Sequence, residues 1–168
     1  MKKLHLLALC LALFTAACTG GESYDKKAAP EAPDFALSTV PAGTFHLKAH
    51  RGKVVLLEFM SYNCPACDGA NAPMNELHRK YAPRGVVLAA VSIDSDSDMA
   101  GYAKHYGILH PIILDTDQKA AADYRLRGTP SFVIIDKQGK IRRYWAGFDP
   151  SLVPIMEKTI ELLLQEPA

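Results

Sequence analysis

Cysteine is scarce in this 168-residue chain: there are four, and two of them, Cys10 and Cys18, fall within the first eighteen positions. The body of the protein is left with one close pair, Cys64 and Cys67. That is not the framework of several bridges that staples small secreted folds. Charge of one sign is lacking too. A formal net charge of +1 gives no case for nucleic-acid binding or for long-range steering of a charged ligand. No internal repeat is present, and the apolar stretch Leu4 to Phe14 is too short for a membrane span. The length is that of one domain, enough for a real hydrophobic core.

What is present centres on residues 54–67, VVLLEFMSYNCPAC. An apolar run from Val54 to Phe59 reads as a strand and breaks into a short polar turn. The turn delivers Cys64 and Cys67 to the mouth of a helix expected from Pro65 to Tyr81. The free amides and dipole of a helix N-terminus favour an anion, so Cys64 becomes a thiolate more easily than a free cysteine does. Pro65 suits a first-turn position, whereas Pro73 inside the helix is expected to kink it.

Residues 1–17 have the make-up of an export signal: Lys2 and Lys3, an apolar core, then Ala16-Ala17. Thr15-Ala16-Ala17-Cys18 resembles the bacterial lipobox, which implies that Cys18 carries lipid as the first residue of the mature protein. More than one acyl chain holds a protein firmly to a membrane. Residues 18–33 follow, and 19–33, TGGESYDKKAAPEAP, have no apolar period, so they read as a flexible tether. Without Lys2 and Lys3 the mature chain has 17 basic and 18 acidic residues, a formal charge of −1.

The domain is expected over 34–168. A small hairpin is expected from 34–37 and 44–47 around Pro41-Ala42-Gly43. Strands follow at 54–60, 86–93, 111–114, 131–136 and 141–147. Helices fall near 97–106, capped by Asp94 to Ser97, around Ala120 to Tyr124, capped by Asp115 to Asp117, and at 151–165. Such alternation argues an α/β unit, a mixed central sheet with helices on both faces. Trp145 is expected to pack, Tyr102 and Tyr106 to be core or helix-face residues, and His46, His50, His78, His105 and His110 to lie on the surface.

Cys64-Pro65-Ala66-Cys67 after an apolar strand, Gly128-Thr129-Pro130 before another, and the hairpin from Phe132 to Trp145 resemble the thioredoxin fold. Pro33-Asp34-Phe35, the inserted segment 94–114 and LDTDQKAAADYRLRGTPSFVIIDKQGKI resemble its exported TlpA/ResA-type branch, with an N-terminal β-hairpin extension and a central αβ insertion. The resemblance implies thiol–disulfide exchange: Cys64 attacks, Cys67 resolves. It implies that Pro130 is a cis-proline beside the cysteines and that Thr129, Pro65, Ala66 and Tyr62 face the substrate. Glu58 stands where thioredoxins hold a buried acid that exchanges a proton with the second cysteine. A carboxylate among Leu56, Leu57 and Phe59 is costly without such a role. Asn63 stands where the family usually has Trp, Ala70 where the branch often has Glu, and Ala66 where DsbA-type oxidases have His.

These readings imply an extracytoplasmic oxidoreductase with no cofactor beyond the Cys64–Cys67 disulfide and no metal. Its partners are protein thiols of the cell envelope and a membrane electron carrier that recharges it, with a lean toward reduction or isomerisation. Three rivals stand beside it. One is a disulfide-forming oxidase, and another is a copper carrier using Cys64, Cys67 and a histidine such as His110. The third is a thiol peroxidase, for which Ser61 fits a hydroxyl position but Leu57 occupies the place of a proline.

Overall fold

The computed structural model describes residues 21–23, 28–95 and 97–168. The export signal expected at 1–17 and the lipidation expected at Cys18 lie outside the described residues. Among the described residues no helix is long and apolar enough to cross a membrane.

In chain order the elements are β1 Gly21–Ser23, β2 Ala36–Val40, β3 Gly43–His46, β4 Val55–Met60, α1 Pro65–Tyr81, β5 Val87–Ser92, α2 Met99–Tyr106, β6 Ile112–Leu114, α3 Lys119–Asp123, β7 Ser131–Ile135, β8 Ile141–Ala146 and α4 Leu152–Gln165. They form one sheet in the order β1-β8-β7-β4-β5-β6-β2-β3. β4 runs parallel to β5, and β5 to β6, while β7 lies antiparallel on the other side of β4. This is the mixed thioredoxin-like sheet that the sequence implies.

Every residue of β4 is buried, because helices cover both faces of the sheet. Alternation then sorts its side chains. Val55, Leu57 and Phe59 join the core beneath α3, with Ala120, Ala121 and Tyr124. Leu56 joins the core beneath α1 and α4, with Met74, Leu77, Met156 and Ile160. Trp145 packs in that second core, as expected. Met60 packs in a third cluster with Cys64, Cys67, Met99 and Tyr102.

α3 is too short to stand alone and depends on a buried acid. Asp115 is fully buried; its carboxylate accepts the amide protons of Ala120 at 3.0 Å and Ala121 at 2.8 Å. Those amides would otherwise be orphaned at the helix start. Asp115→Ala is expected to cost about 2 kcal/mol, through a lost cap and two unsatisfied donors. The midpoint of urea unfolding checks this; an unmoved midpoint refutes it.

Three segments depart from the sequence reading. α2 is capped by Asp98, whose carboxylate accepts the Gly101 amide at 2.8 Å. The cap thus lies just past the Asp94–Ser97 stretch, and Asp94 is used elsewhere. The tether expected over 18–33 is partly docked. Gly21–Ser23 pairs with Arg143 to Trp145 of β8, Glu31 bridges to Lys140, and Ala29 and Ala32 are buried. The Ala32 amide donates to Gly139 and the Ile141 amide to Pro30. β8 has one backbone edge that β7 leaves open, and main-chain pairing there needs no apolar pattern in the added segment. Third, His110 is not a surface residue: 5% of it is exposed.

Candidate active site

The chain leaves β4 at its C-terminal end, beside the matching end of β5. Crevices at these ends are where open α/β sheets place their chemistry. Residues 61–63 make the turn, and it is pinned from the β5 side. The Tyr62 amide donates to the Asp94 carboxylate at 2.8 Å, and the Ser92 hydroxyl donates to the same oxygen at 2.9 Å. The Ile93 amide donates to the Met60 carbonyl at 3.1 Å. Cys64 is thereby held as the N-cap of α1, with Pro65 in its first turn. A proline there gives up no hydrogen bond, since that amide would have no helical partner.

Cys64 and Cys67 form a disulfide, with their Cα atoms 5.2 Å apart. The Cys64 sulfur also accepts the Cys67 amide proton at 3.2 Å. The carbonyl of Cys64 accepts from the amides of Cys67 at 2.9 Å and Asp68 at 3.1 Å. Once the disulfide opens, the same amide and the helix dipole favour negative charge on Cys64. Cys64 is 7% exposed and Cys67 not at all, so an incoming sulfur meets Cys64 first. Pro65 and Ala66 are exposed around it, and Tyr62 is 39% exposed.

Glu58 occupies the middle of β4, paired in register with Ala90 and Phe132. By alternation it shares the α1 side of the sheet with Leu56 and Met60, between the second core and the cluster that holds Cys67. It is 2% exposed, and its Oε1 has no hydrogen-bond partner among the described residues. Burial raises its pKa from the ordinary 4.5 to about 8. A buried carboxyl that titrates close to neutrality is suited to taking and returning a proton.

The Thr129–Pro130 peptide is cis. Phe59 pairs with Ser131, so Pro130 lies one residue beyond that pair, at the end of the sheet where the chain turns toward Cys64. Around it the Gly147 amide donates to the Pro130 carbonyl at 2.7 Å, and the Ser131 hydroxyl donates to the Gly128 carbonyl at 2.7 Å. Pro130 is buried and Thr129 is partly exposed beside it. A second cis peptide, Val40–Pro41, sits in the N-terminal hairpin turn, where the sequence reading had only a turn proline.

Three polar residues near the site, Asp68, Asn71 and Asn75, were not singled out in the sequence. Asn71 and Asn75 are buried on α1. Asn71 donates its amide to the Tyr102 hydroxyl at 2.8 Å, and that hydroxyl donates to Asp68 at 2.9 Å. Asn75 donates to the Gly107 carbonyl at 3.0 Å and accepts the Leu109 amide at 2.9 Å, which fastens the end of α2 to α1. Their 68, 71, 75 spacing on an otherwise apolar helix face was the available signal. His110, expected on the surface and offered as the rival copper ligand, is buried, and its Nδ1 lacks a partner among the described residues. Burial, then the neighbouring His78, pushes its pKa down to about 4. It lines a small void with Glu58, Met74 and Leu88, away from the groove at Cys64. Among the described residues no cluster of His, Cys, Asp and Glu is placed to hold a metal ion.

A family model described as the AhpC/TSA family matches residues 28–144. A thiol-disulfide oxidoreductase ResA of Bacillus thuringiensis (strain Al Hakam) is 33% identical over 112 residues, 66% of this chain. The chain spans 65% of that relative's length. Among solved structures, a thiol:disulfide interchange protein DsbE from Chlorobium tepidum is 27% identical with a TM-score of 0.76, covering 81% of this chain and 96% of its own. The pneumococcal exposed lipoprotein thioredoxin of Streptococcus pneumoniae is 26% identical with a TM-score of 0.67, covering 78% of this chain and 100% of its own.

Proposed function

Because the chain belongs to the AhpC/TSA family of thioredoxin-like proteins, and within it resembles ResA, we propose that it is an extracytoplasmic thiol–disulfide oxidoreductase. The observation that carries this reading is the Cys64–Cys67 disulfide at the first turn of α1, with one sulfur near the surface and the other enclosed. In the reduced protein the Cys64 thiolate attacks a disulfide of a partner protein. One partner sulfur leaves as a thiol and the other stays bonded to Cys64. Glu58 in its ionised form takes the proton of Cys67, and the Cys67 thiolate then attacks the Cys64 sulfur. The internal disulfide re-forms and the partner departs reduced, two electrons richer.

Thr129 and the cis peptide that follows it offer main-chain groups to an extended partner segment, in the manner of strand addition, with Tyr62, Pro65 and Ala66 around the sulfur. No cofactor beyond the cysteine pair is required. Export by the signal at 1–17 and lipid attachment at Cys18 set the protein on the outer side of a membrane. There a membrane electron carrier returns its electrons. Similarity to a lipoprotein thioredoxin supports that location.

The direction of flow is reductive or isomerising, and the potential of the Cys64–Cys67 pair against glutathione tests it. Proteins of the thioredoxin fold span about −270 mV for reductants to about −120 mV for strong oxidants. A value in the lower half of that range is expected. A value near the upper end reverses the direction, and a pair that never equilibrates with glutathione overturns the exchange reading.

A further inference from the structure

Beside the disulfide, α2 and the first turn of α1 enclose an open groove of about 640 Å³ whose walls include Cys64, Pro65, Asp68, Tyr62, Tyr102 and Tyr106. Its three phenol rings form a continuous surface. Tyr62 and Tyr102 have centroids 5.7 Å apart, and Tyr102 and Tyr106 4.5 Å, each pair tilted rather than stacked. Among the described residues Asp68 is the only carboxylate in the wall, no lysine or arginine lines it, and its one basic side chain is the imidazole of His105.

The carboxylate is held in place from behind. The buried Asn71 amide donates to the Tyr102 hydroxyl, which donates to Asp68 Oδ1. The same carboxylate, within reach of the Tyr106 hydroxyl, pushes that phenol's pKa up. A fixed negative charge between electron-rich ring faces selects a particular side chain. An apolar one would strip water from Asp68 and return nothing, and an acidic one would be repelled. A long side chain ending in a cation meets both the rings and the carboxylate.

We propose that this groove binds a lysine or arginine of the substrate protein, carried within a few residues of its reacting cysteine. The inference rests on the thiol-exchange reading and specifies which protein disulfides Cys64 prefers. Asp68, Tyr102 and Tyr106 act in it as specificity determinants, and Cys64 does the chemistry.

Peptides whose single cysteine is bonded to 2-thiopyridine provide the test. Attack by the reduced protein on the peptide sulfur releases pyridine-2-thione, which absorbs in the near ultraviolet. Three peptides differ only in carrying lysine, norleucine or glutamate two residues from the cysteine. The ratio of rate constants within one protein variant cancels any change in the intrinsic reactivity of Cys64. The wild-type protein at low salt should favour lysine over norleucine about tenfold, and should use glutamate least. High salt should shrink the preference. Asp68→Asn and Tyr106→Leu should each bring the ratio near one, while Tyr106→Phe, which keeps the ring, should retain it. A wild-type ratio near one overturns the proposal, as does a ratio that survives both Asp68→Asn and Tyr106→Leu. Failure to react with all three peptides would instead overturn the exchange reading itself.

Discussion

Cys64→Ser should lower the rate of disulfide exchange by more than about a thousandfold, whereas Cys67→Ser should leave the first attack intact and stop at a covalent adduct. The asymmetry follows from where α1 puts the two sulfurs. Cys64 caps the helix, accepts an amide hydrogen bond at 3.2 Å and keeps some surface. Cys67 is enclosed with Met60, Met99 and Tyr102, so it reaches only the sulfur already next to it. Mass spectrometry of each variant after incubation with a disulfide-bonded protein reads the outcome directly. An adduct on Cys64→Ser, or full turnover by Cys67→Ser, would contradict the assigned order of attack.

Glu58→Gln carries the second large effect, and it shows in both stability and kinetics. The buried carboxyl holds its proton up to about pH 8, against an ordinary 4.5 in the unfolded chain. The folded state therefore binds that proton more tightly. Stability falls as pH climbs from the unfolded value to the folded one and is level on either side. A displacement of this size corresponds to about 5 kcal/mol. Glutamine keeps the shape and has no proton to lose. The variant should match the wild type in urea unfolding near pH 4 and exceed it by that order near pH 9. Parallel stability curves would show that Glu58 does not stay protonated in the fold. In stopped-flow measurements the same substitution should slow resolution of a Cys64 adduct about a hundredfold, the ordinary worth of a general base.

Much of the site was legible because its pieces are local. An apolar run, a polar turn, a cysteine before a proline and a second cysteine three residues on describe a strand feeding a helix. The structure has Val55–Met60 and Pro65–Tyr81 in those places. Glu58 stood out for the same reason, as one acid in an apolar strand. The N-terminal segment was misread because Gly21–Ser23 and 28–33 have no pattern of their own. They are ordered by backbone bonds to β8, more than a hundred residues away. The burial of His110, expected on the surface, was not legible because one histidine before a short strand gives no sign of it.

Local sequence is enough to say that two cysteines share one helix turn, that the strand before them is covered on both faces, and that a Thr-Pro step precedes another such strand. Spacing and hydrophobic alternation act over a few residues, so these features need no knowledge of distant chain. The tertiary structure alone decided what surrounds the sulfurs. It left Oε1 of Glu58 without a hydrogen-bond partner among the described residues and linked Asp68 through Tyr102 to Asn71. It also brought Tyr62, Tyr102 and Tyr106 from two separate segments to one wall. Those arrangements depend on the parallel pairing of β4 with β5, which sets α2 against α1, and pairing between distant strands leaves no mark in local sequence.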